Sequence, residues 1–304
     1  MIKRALSKKI EDGGLILNPS NEKSILDLKR EEVIKNFEDK GIILFRNFKI
    51  KKEDIIKFTD RFTFSYANDA NRRMFRFKNN NIRNVDTGKV EIFLHSEASY
   101  SPAWPEIVWF YCNNPPLKNG QTTICDGNNI FKKFDYELKN FFLSNEIVYK
   151  LKIPFGKSKN IKKLKEKKIK PWYIEYPGIK DCFLNPKNNE ILFKLKRYAI
   201  SETRKLNKMS FCNHVQIPLE SDDQLISIEL ENRKKIPKKI LDKVSKITKS
   251  LTFEMDWHKN DLIMIDNRRL MHGRRKISSK DNKRDIVNIQ TLKANFGYGA
   301  TTRI

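Results

Sequence analysis

A histidine and a glutamate stand two positions apart in the segment FLHSEASYSPAWP (93–105). The segment begins like a β-strand, and residues i and i+2 of a strand project from the same face. His95 and Glu97 are therefore predicted to present an imidazole and a carboxylate side by side. A single pair of this kind is weak evidence, because a strand histidine with a structural role explains His95 equally well. The pair becomes informative only if the chain supplies a third ligand.

A second histidine lies in a suitable context in WHKNDLIMIDNRRLMHGRR (257–275). The pattern predicts a buried strand over 262–265, a tight turn at Asp266 and Asn267, and His272 on the next strand. If the two segments pair in one β-sandwich, His272 meets His95 and Glu97. Two imidazoles and one carboxylate suit Fe(II) in non-haem oxygenases and leave positions for a cosubstrate and O₂.

A cosubstrate such as 2-oxoglutarate would need a cation for its far carboxylate, and arginine binds a carboxylate in bidentate fashion better than lysine does. Arg284 follows His272 by 12 residues and opens the alternating segment RDIVNIQTL (284–292). A neighbouring strand could return it to the same cavity. A surface position for Arg284 remains the alternative on this pattern alone.

Helical and strand patterns divide the chain into a mainly β domain with flanking helices. Helices are predicted in REEVIKNFEDKG, KKEDIIKFTDRF, ILFKLKRYAISETRKL and PKKILDKVSKITKSL, and Gly41 is a plausible stop for the first. Strands dominate from about residue 87 and again in the last third, which predicts an antiparallel sandwich or barrel. We expect one domain over 1–304: an α/β flank (1–86), core strands (87–127 and 211–304) and an insert or lid (128–210).

Composition narrows the class of protein. No apolar segment approaches the roughly 20 residues of a membrane span, and no signal peptide is recognised, so a cytoplasmic protein without membrane contact is expected. The four cysteines are scattered, which predicts reduced, mostly buried thiols. The sequence leaves the oligomeric state open, a homo-oligomer included.

The 62 Lys and Arg against 37 Asp and Glu give a net charge of +25. The densest run, KSKNIKKLKEKKIK (157–170), is either a solvated surface or a contact for an acidic partner such as a carrier protein. It has no interleaved aromatic to stack on bases, so nucleic acid is not favoured.

The segments LHSEASYSPAWPEIVWFYCNNPPLKNGQTTICD and WHKNDLIMIDNRRLMHGRR together resemble the taurine dioxygenase-like family of Fe(II)/2-oxoglutarate-dependent oxygenases. The similarity is greatest to its H-x-E branch of clavaminate synthase and the syringomycin-type amino-acid hydroxylases. The resemblance implies a double-stranded β-helix (jelly-roll, cupin-like) core and the cofactors Fe(II), 2-oxoglutarate and O₂. It implies His95, Glu97 and His272 as iron ligands, with Arg284 and Thr122 on the cosubstrate's distal carboxylate.

The same resemblance matches Asp261 and the Asp266–Asn267 pair to the family's G-D…D-N turn, with Asn260 where the family has glycine. Asparagine tolerates the left-handed backbone that such a glycine adopts.

The implied function is hydroxylation of an unactivated C–H bond in a small amino acid or an amino-acid-derived substrate, free or tethered to a carrier, with release of succinate and CO₂. Halogenases of this superfamily have Ala or Gly in place of Glu97, so halogenation is not expected. Desaturation or cyclisation by the same chemistry, and a basic nucleic-acid-binding protein with a vestigial site, are the alternatives.

The substrate-binding candidates are Tyr100, Ser99, Asn213, His214 and Arg274. Arg72, Arg73 and Arg76 could also bind a substrate carboxylate, although each arginine could equally be solvated; structural roles are the alternative for His214 and His258.

Overall fold

The structure is a computed structural model that describes residues 1–67, 81–85, 88–154, 179–185, 190–204, 208–218, 225–281 and 283–297. The lysine-rich run 157–170 and Arg72, Arg73 and Arg76 lie outside these residues. The strands are β1 Ile2–Arg4, β2 Leu15–Asn18, β3 Ile42–Phe45, β4 Thr63–Tyr66, β5 Arg83–Asn84, β6 Ile92–His95, β7 Ile107–Asn114, β8 Thr122–Asp126, β9 Glu146–Pro154, β10 Ile179–Asn185, β11 Glu190–Tyr198, β12 Ile200–Glu202, β13 Met209–Phe211, β14 Leu225–Leu230, β15 Phe253–Glu254, β16 Leu262–Asp266, β17 Leu270–Arg274 and β18 Asp285–Ala294.

The helices are α1 Arg30–Lys40, α2 Lys52–Asp60, α3 Gly127–Lys133, α4 Tyr136–Ser144 and α5 Lys238–Leu251, with short 3₁₀ turns at Glu11–Gly13 and Ile25–Asp27. The predictions for α1, α2 and α5 are confirmed. Gly41 ends α1 in the left-handed conformation (φ 70°), and its N–H donates to the carbonyl of Phe37. This is the predicted stop, because glycine adopts that conformation without a steric penalty.

Two sheets packed face to face form the jelly-roll core, as predicted. Among the described residues, the larger sheet has the order β1-β2-β3-β16-β7-β18-β4, with β5 also paired to β18, and the smaller has the order β15-β8-β17-β6. Residues 1–67 and 81–85 thus supply five strands to the larger sheet. Apolar side chains from both sheets meet between them, including Val108, Ile124, Ile263 and Ile286. α1 and α2 pack on the outer face of the larger sheet through Val33, Phe37, Ile55 and Phe58.

A third sheet, in the order β10-β11-β9-β14, contains β9, β10 and β11 of the predicted insert (128–210) together with β14 of the predicted core region (211–304). The prediction of a helix over ILFKLKRYAISETRKL is wrong: this segment contains β11 and β12. Along β11, buried Phe193 and Leu195 alternate with the more exposed Lys194 and Lys196. That alternation has the period of two of a half-buried strand, and nine residue pairs join β11 to β9.

Two predictions from composition can be compared with the described residues. Cys112, Cys125 and Cys212 are buried and free of disulfides, as predicted, and burial raises the pKa of the Cys112 thiol to about 12. No helix in the described ranges is long and apolar enough to cross a bilayer.

Candidate active site

The two histidines of the predicted ligand set lie opposite each other on neighbouring strands. His272 of β17 pairs in register with His95 of β6, and their ring centroids are 4.7 Å apart. Opposed residues of an antiparallel pair project from the same face, so the register itself brings the imidazoles together. Two chain segments 177 positions apart thus converge as the sequence predicted.

Glu97 completes the group. One of its carboxylate oxygens, Oε2, lies 3.8 Å from His95 Nε2 and 3.5 Å from His272 Nε2. The ligand atoms of all three residues lie within 4.8 Å of one another. An ion bound at about 2.0–2.2 Å from each ligand atom requires the three ligand atoms to lie about this close to one another. The donor set contains no thiolate and occupies only one side of such an ion, so the residues fit Fe(II).

Glu97 reaches this position through a turn and not through strand alternation. β6 ends at His95, and the chain then turns with Ala98 in the left-handed region (φ 50°). The side chain of the fully buried Asn267 holds the turn: its Oδ1 accepts from the Glu97 N–H at 2.8 Å, and its Nδ2 donates to the Glu97 carbonyl at 3.0 Å. Nδ2 also donates to the Pro105 carbonyl at 2.9 Å. The strand argument therefore predicted that Glu97 lies beside His95, but not that Asn267 positions it.

Ser96 and Trp104 support the same turn from behind. Ser96 Oγ donates to the Asn267 carbonyl at 2.6 Å and accepts from Trp104 Nε1 at 2.7 Å. The guanidinium carbons of Arg268 and Arg197 lie 3.7 Å and 4.4 Å from the centroid of the Trp104 indole. Every polar atom named here is paired, which rigidifies a buried network.

Aromatic rings surround the histidines. Phe110 packs edge-on against His272 with centroids 5.1 Å apart. His214 lies 5.2 Å from His95 and 4.5 Å from Tyr100, in both cases edge-on. Burial, with a smaller contribution from the neighbouring His95, holds the pKa of His214 well below its usual range. His214 thus lies beside His95 in an environment that disfavours its charged form.

Thr122, Arg274 and Arg284 form a second polar group at the other end of the cavity. Thr122 pairs in register with Arg274, two residues beyond His272 on β17. The Thr122 hydroxyl oxygen accepts from Trp257 Nε1 at 3.0 Å, so its own proton can be donated elsewhere. Arg284 Nε donates to the Gly120 carbonyl at 2.9 Å. Burial, and next the charge of Arg274, lowers the pKa of Arg284 to about 10, so this corner of the cavity favours an anion.

The turn NGQT (119–122), which leads into β8, shapes this corner. Asn119 and Gly120 have φ values of 62° and 77°. A Cβ atom at Gly120 would lie 3.1 Å from Ile277 Cγ1 and 3.4 Å from Arg284 Cδ, so glycine permits both the backbone conformation and the close approach. Asn260 also adopts the left-handed backbone conformation predicted for it, with a φ of 69°.

A cavity of about 620 Å³ joins the two groups. It is lined by His95, Glu97 and His272, by Thr122, Arg274 and Arg284, and by Tyr100 and His214. Apolar residues complete the wall and the mouth, where Val90 is 67% exposed and Phe93 46% exposed. The lining residues are Val85, Val90, Glu91, Ile92, Phe93, His95, Glu97, Ala98, Tyr100, Phe110, Thr122, His214, Ile217, His272, Gly273, Arg274, Arg284, Ile286 and Asn288.

The remaining candidates from the sequence lie elsewhere. Ser99 and Asn213 are buried but are not on the cavity wall. The Asn213 side chain donates to the Ala199 carbonyl and accepts from the Val215 N–H, which are structural contacts. His258 is half exposed beside Asp256. Sequence reasoning missed Phe110 and Asn288 on the cavity wall, although the alternation of β18 places Asn288 on the face of Arg284.

Comparisons with known proteins agree with this geometry. The model of the family described as taurine catabolism dioxygenase TauD, TfdA family matches residues 6–290. No curated protein is matched by the sequence.

Solved structures share the fold at low sequence identity. The structure of PvcB from Pseudomonas aeruginosa is 13% identical, with a TM-score of 0.58, and the match covers 95% of this chain and 90% of PvcB. A second structure of PvcB describes it as an Fe, alpha-ketoglutarate dependent oxygenase from an isonitrile synthetic pathway. AAD-2 in complex with Mn(II) and N-oxalylglycine is 14% identical, with a TM-score of 0.59 and coverage of 97% and 98%.

Proposed function

Because the chain belongs to the TauD, TfdA family of dioxygenases, we propose that it hydroxylates an unactivated C–H bond of a small amino acid or an amino-acid-derived substrate. The protein is a 2-oxoglutarate-dependent non-haem iron dioxygenase, and Fe(II), 2-oxoglutarate and O₂ are its expected cofactors. When bound, these cofactors supply the oxidant for C–H cleavage and release succinate and CO₂.

The residues of the chain have separate tasks in this proposal. His95, Glu97 and His272 would hold the iron. Thr122 and Arg284 would hold the distal carboxylate of 2-oxoglutarate, with Arg274 adding positive charge. His272 and Arg274 are two residues apart on one strand, about 6.7 Å, which is the scale of a short dicarboxylate lying along β17.

The observation that favours hydroxylation over halogenation is the position of the Glu97 carboxylate. Its Oε2 lies within 4 Å of both histidine Nε2 atoms, where it would occupy the ligand position that a halide needs. Three side-chain ligands of this kind would leave the remaining coordination positions of the iron to the cosubstrate and O₂. The substrate would then occupy the part of the cavity beside Tyr100 and His214, where it excludes water and presents one C–H bond to the iron.

A tethered substrate is part of the proposal because of the charge of the chain. A net charge of +25 favours encounter with an acidic carrier protein. Such docking weakens steeply with added salt. We therefore expect turnover of a carrier-tethered aminoacyl substrate to fall with salt much more than turnover of the corresponding free compound; an equal response to salt would contradict carrier docking.

A substrate screen tests the proposed function. Protein loaded anaerobically with Fe(II) and 2-oxoglutarate is exposed to air with free and carrier-tethered amino acids, and succinate and products are analysed by mass. We expect one substrate class to stimulate succinate formation and to gain a single oxygen atom. Stimulation with loss of two hydrogens instead would identify a desaturase or cyclase and would contradict hydroxylation.

A further inference from the structure

Asn288 is a buried polar side chain on the cavity wall to which the proposed function gives no role. It is 1% exposed, and neither its Oδ1 nor its Nδ2 has a hydrogen-bond partner among the residues that the structure describes. Buried polar groups in folded proteins are nearly always hydrogen-bonded, and leaving one unpaired destabilises the fold. The wall of the cavity is where a ligand could supply the missing partner.

The alternation of β18 places Asn288 beyond the cosubstrate. Arg284, Ile286 and Asn288 line the cavity, whereas Val287 and Ile289 pack on the opposite face of the sheet. Four residues of antiparallel strand span about 13.6 Å, so Asn288 is well separated from the carboxylate anchor at Arg284. It pairs in register with Phe110, whose ring packs on the imidazole of His272. Asn288 therefore lies near the iron end of the cavity.

We infer that Asn288 binds the substrate and selects one that presents a neutral amide-type group, with a donor and an acceptor side by side. This inference rests on the proposed function and names its substrate class. A carboxamide has one acceptor oxygen and a donor NH₂. A substrate amide can pair with both the Oδ1 and the Nδ2 of Asn288. A substrate carboxylate can pair only with Nδ2, and an ammonium only with Oδ1.

The surroundings of Asn288 support a neutral group on an apolar body. Phe110 and Ile286 flank it on the wall. Arg83 is its register partner on β5; the Arg83 guanidinium donates to the Ala67 carbonyl and is not among the residues that line the cavity. This nearby positive charge disfavours an ammonium, while a carboxylate would leave Oδ1 buried and unpaired. An amino acid whose carboxyl group is already converted to an amide fits both conditions.

Binding of matched probes to a protein that cannot turn over tests this selectivity. The protein is loaded with Zn(II) in place of Fe(II) and with 2-oxoglutarate, and calorimetry measures the affinity of 3-phenylpropanamide, 3-phenylpropanoate and 3-phenylpropylamine. We expect the amide to bind about tenfold more tightly than the other two, because each of those forms one hydrogen bond fewer and leaves one buried polar group of Asn288 unpaired. Equal affinities, or tighter binding of the acid or the amine, would overturn the inference.

Variants assign the preference to Asn288. Asn288→Leu should abolish the preference for the amide, and Asn288→Asp, which keeps the shape, should shift it towards the amine. Gln290→Leu is the matched control: Gln290 is a buried amide on the same strand face but not on the cavity wall, so its replacement should leave the preference unchanged. Melting temperature and Zn(II) affinity confirm that each variant is folded. Persistence of the preference in both Asn288 variants would overturn the assignment.

These experiments distinguish a failure of the amide selectivity of Asn288 from a failure of the proposed hydroxylation. If metal and 2-oxoglutarate bind but the amide preference is missing, the role of Asn288 is wrong and hydroxylation is unaffected. If the preference depends on Asn288 but the screen yields no hydroxylated product, the proposed function is wrong and the amide site stands. A protein that binds neither Zn(II) nor 2-oxoglutarate contradicts both.

Discussion

The cavity has two walls that are built differently. The metal-cosubstrate wall, named for the roles proposed above and comprising His272, Arg274, Thr122 and Arg284, lies on β17, on β8 and immediately before β18. The substrate wall, comprising Tyr100, His214 and Ile217, lies on the turns that follow β6 and β13. Strand register fixes the first wall, because His272 pairs with His95 and Arg274 with Thr122. Irregular backbone and ring contacts fix the second.

Under the proposed function, this difference assigns general chemistry to the first wall, whereas selectivity falls to the second wall and to Asn288 on β18. A change on the metal-cosubstrate wall should affect every substrate equally, because it alters the iron or 2-oxoglutarate. A change on the substrate wall should affect individual substrates and leave cofactor binding intact. Binding residues are commonly placed on loops that a rigid scaffold positions. The following substitutions test the division, from the largest expected effect to the smallest.

His95→Ala should have the largest effect. Removal of one of three ligands should lower iron affinity and 2-oxoglutarate turnover at least about 100-fold, since even partners of metal ligands contribute up to that factor. Iron content and O₂ consumption measure the loss. His258→Ala, at a half-exposed histidine, is the control and should match the parent. A fully active His95→Ala protein would contradict the metal site.

Arg284→Ala should raise the KM for 2-oxoglutarate at least about 30-fold, because loss of one partner of a buried charge pair costs about 2 kcal/mol or more. The KM shift should be the same with every substrate. Lys283→Ala changes the exposed neighbouring cation and should leave this KM unchanged. A shift that differs between substrates would place Arg284 on the substrate wall instead.

Asn267→Ala should lower iron affinity about tenfold and destabilise the fold by about 1–3 kcal/mol, because it leaves the Glu97 N–H and carbonyl unpaired. Chemical denaturation and an iron titration give the two quantities. Asn267→Asp keeps the acceptor for the Glu97 N–H and should retain more iron affinity than the alanine variant. Equal losses in both variants would show that the Glu97 turn does not depend on that hydrogen bond.

Gly273→Ala should destabilise the fold by about 1–3 kcal/mol, the usual cost of overpacking. An added Cβ would lie 2.5 Å from the Ile92 carbonyl oxygen and 2.8 Å from Thr123 Oγ1, so β6 must move away from β17. Iron affinity should fall with it, since His95 is on β6. Gly297→Ala, where nothing lies within 4 Å of the added atom, should unfold at the temperature of the parent.

Tyr100→Ala should have the smallest effect. Loss of its edge-on contact with His214 should raise the KM for substrate by about two- to tenfold. The KM for 2-oxoglutarate should not change, and more 2-oxoglutarate should be consumed per product formed. A loss of iron instead would mean that the two walls are not independent.

The parts that the sequence predicted are those that local patterns determine. Gly41 was identified as the end of α1, and the order of strand, turn and strand around Asp266 and Asn267 led correctly to His272. The predicted helix over 191–206 was wrong because a short apolar segment is compatible with both elements, and pairing with β9 decided in favour of strands. The roles of Asn267 and Asn288 depend on contacts between distant segments, which no local pattern contains.

An iron anomalous map from crystals grown anaerobically with Fe(II) and 2-oxoglutarate tests the central claim most directly. The account predicts one peak at about 2.0–2.2 Å from His95 Nε2, from His272 Nε2 and from a carboxylate oxygen of Glu97, with 2-oxoglutarate extending towards Thr122 and Arg284. A peak bound by other residues, or no ordered iron in the cavity, would contradict it.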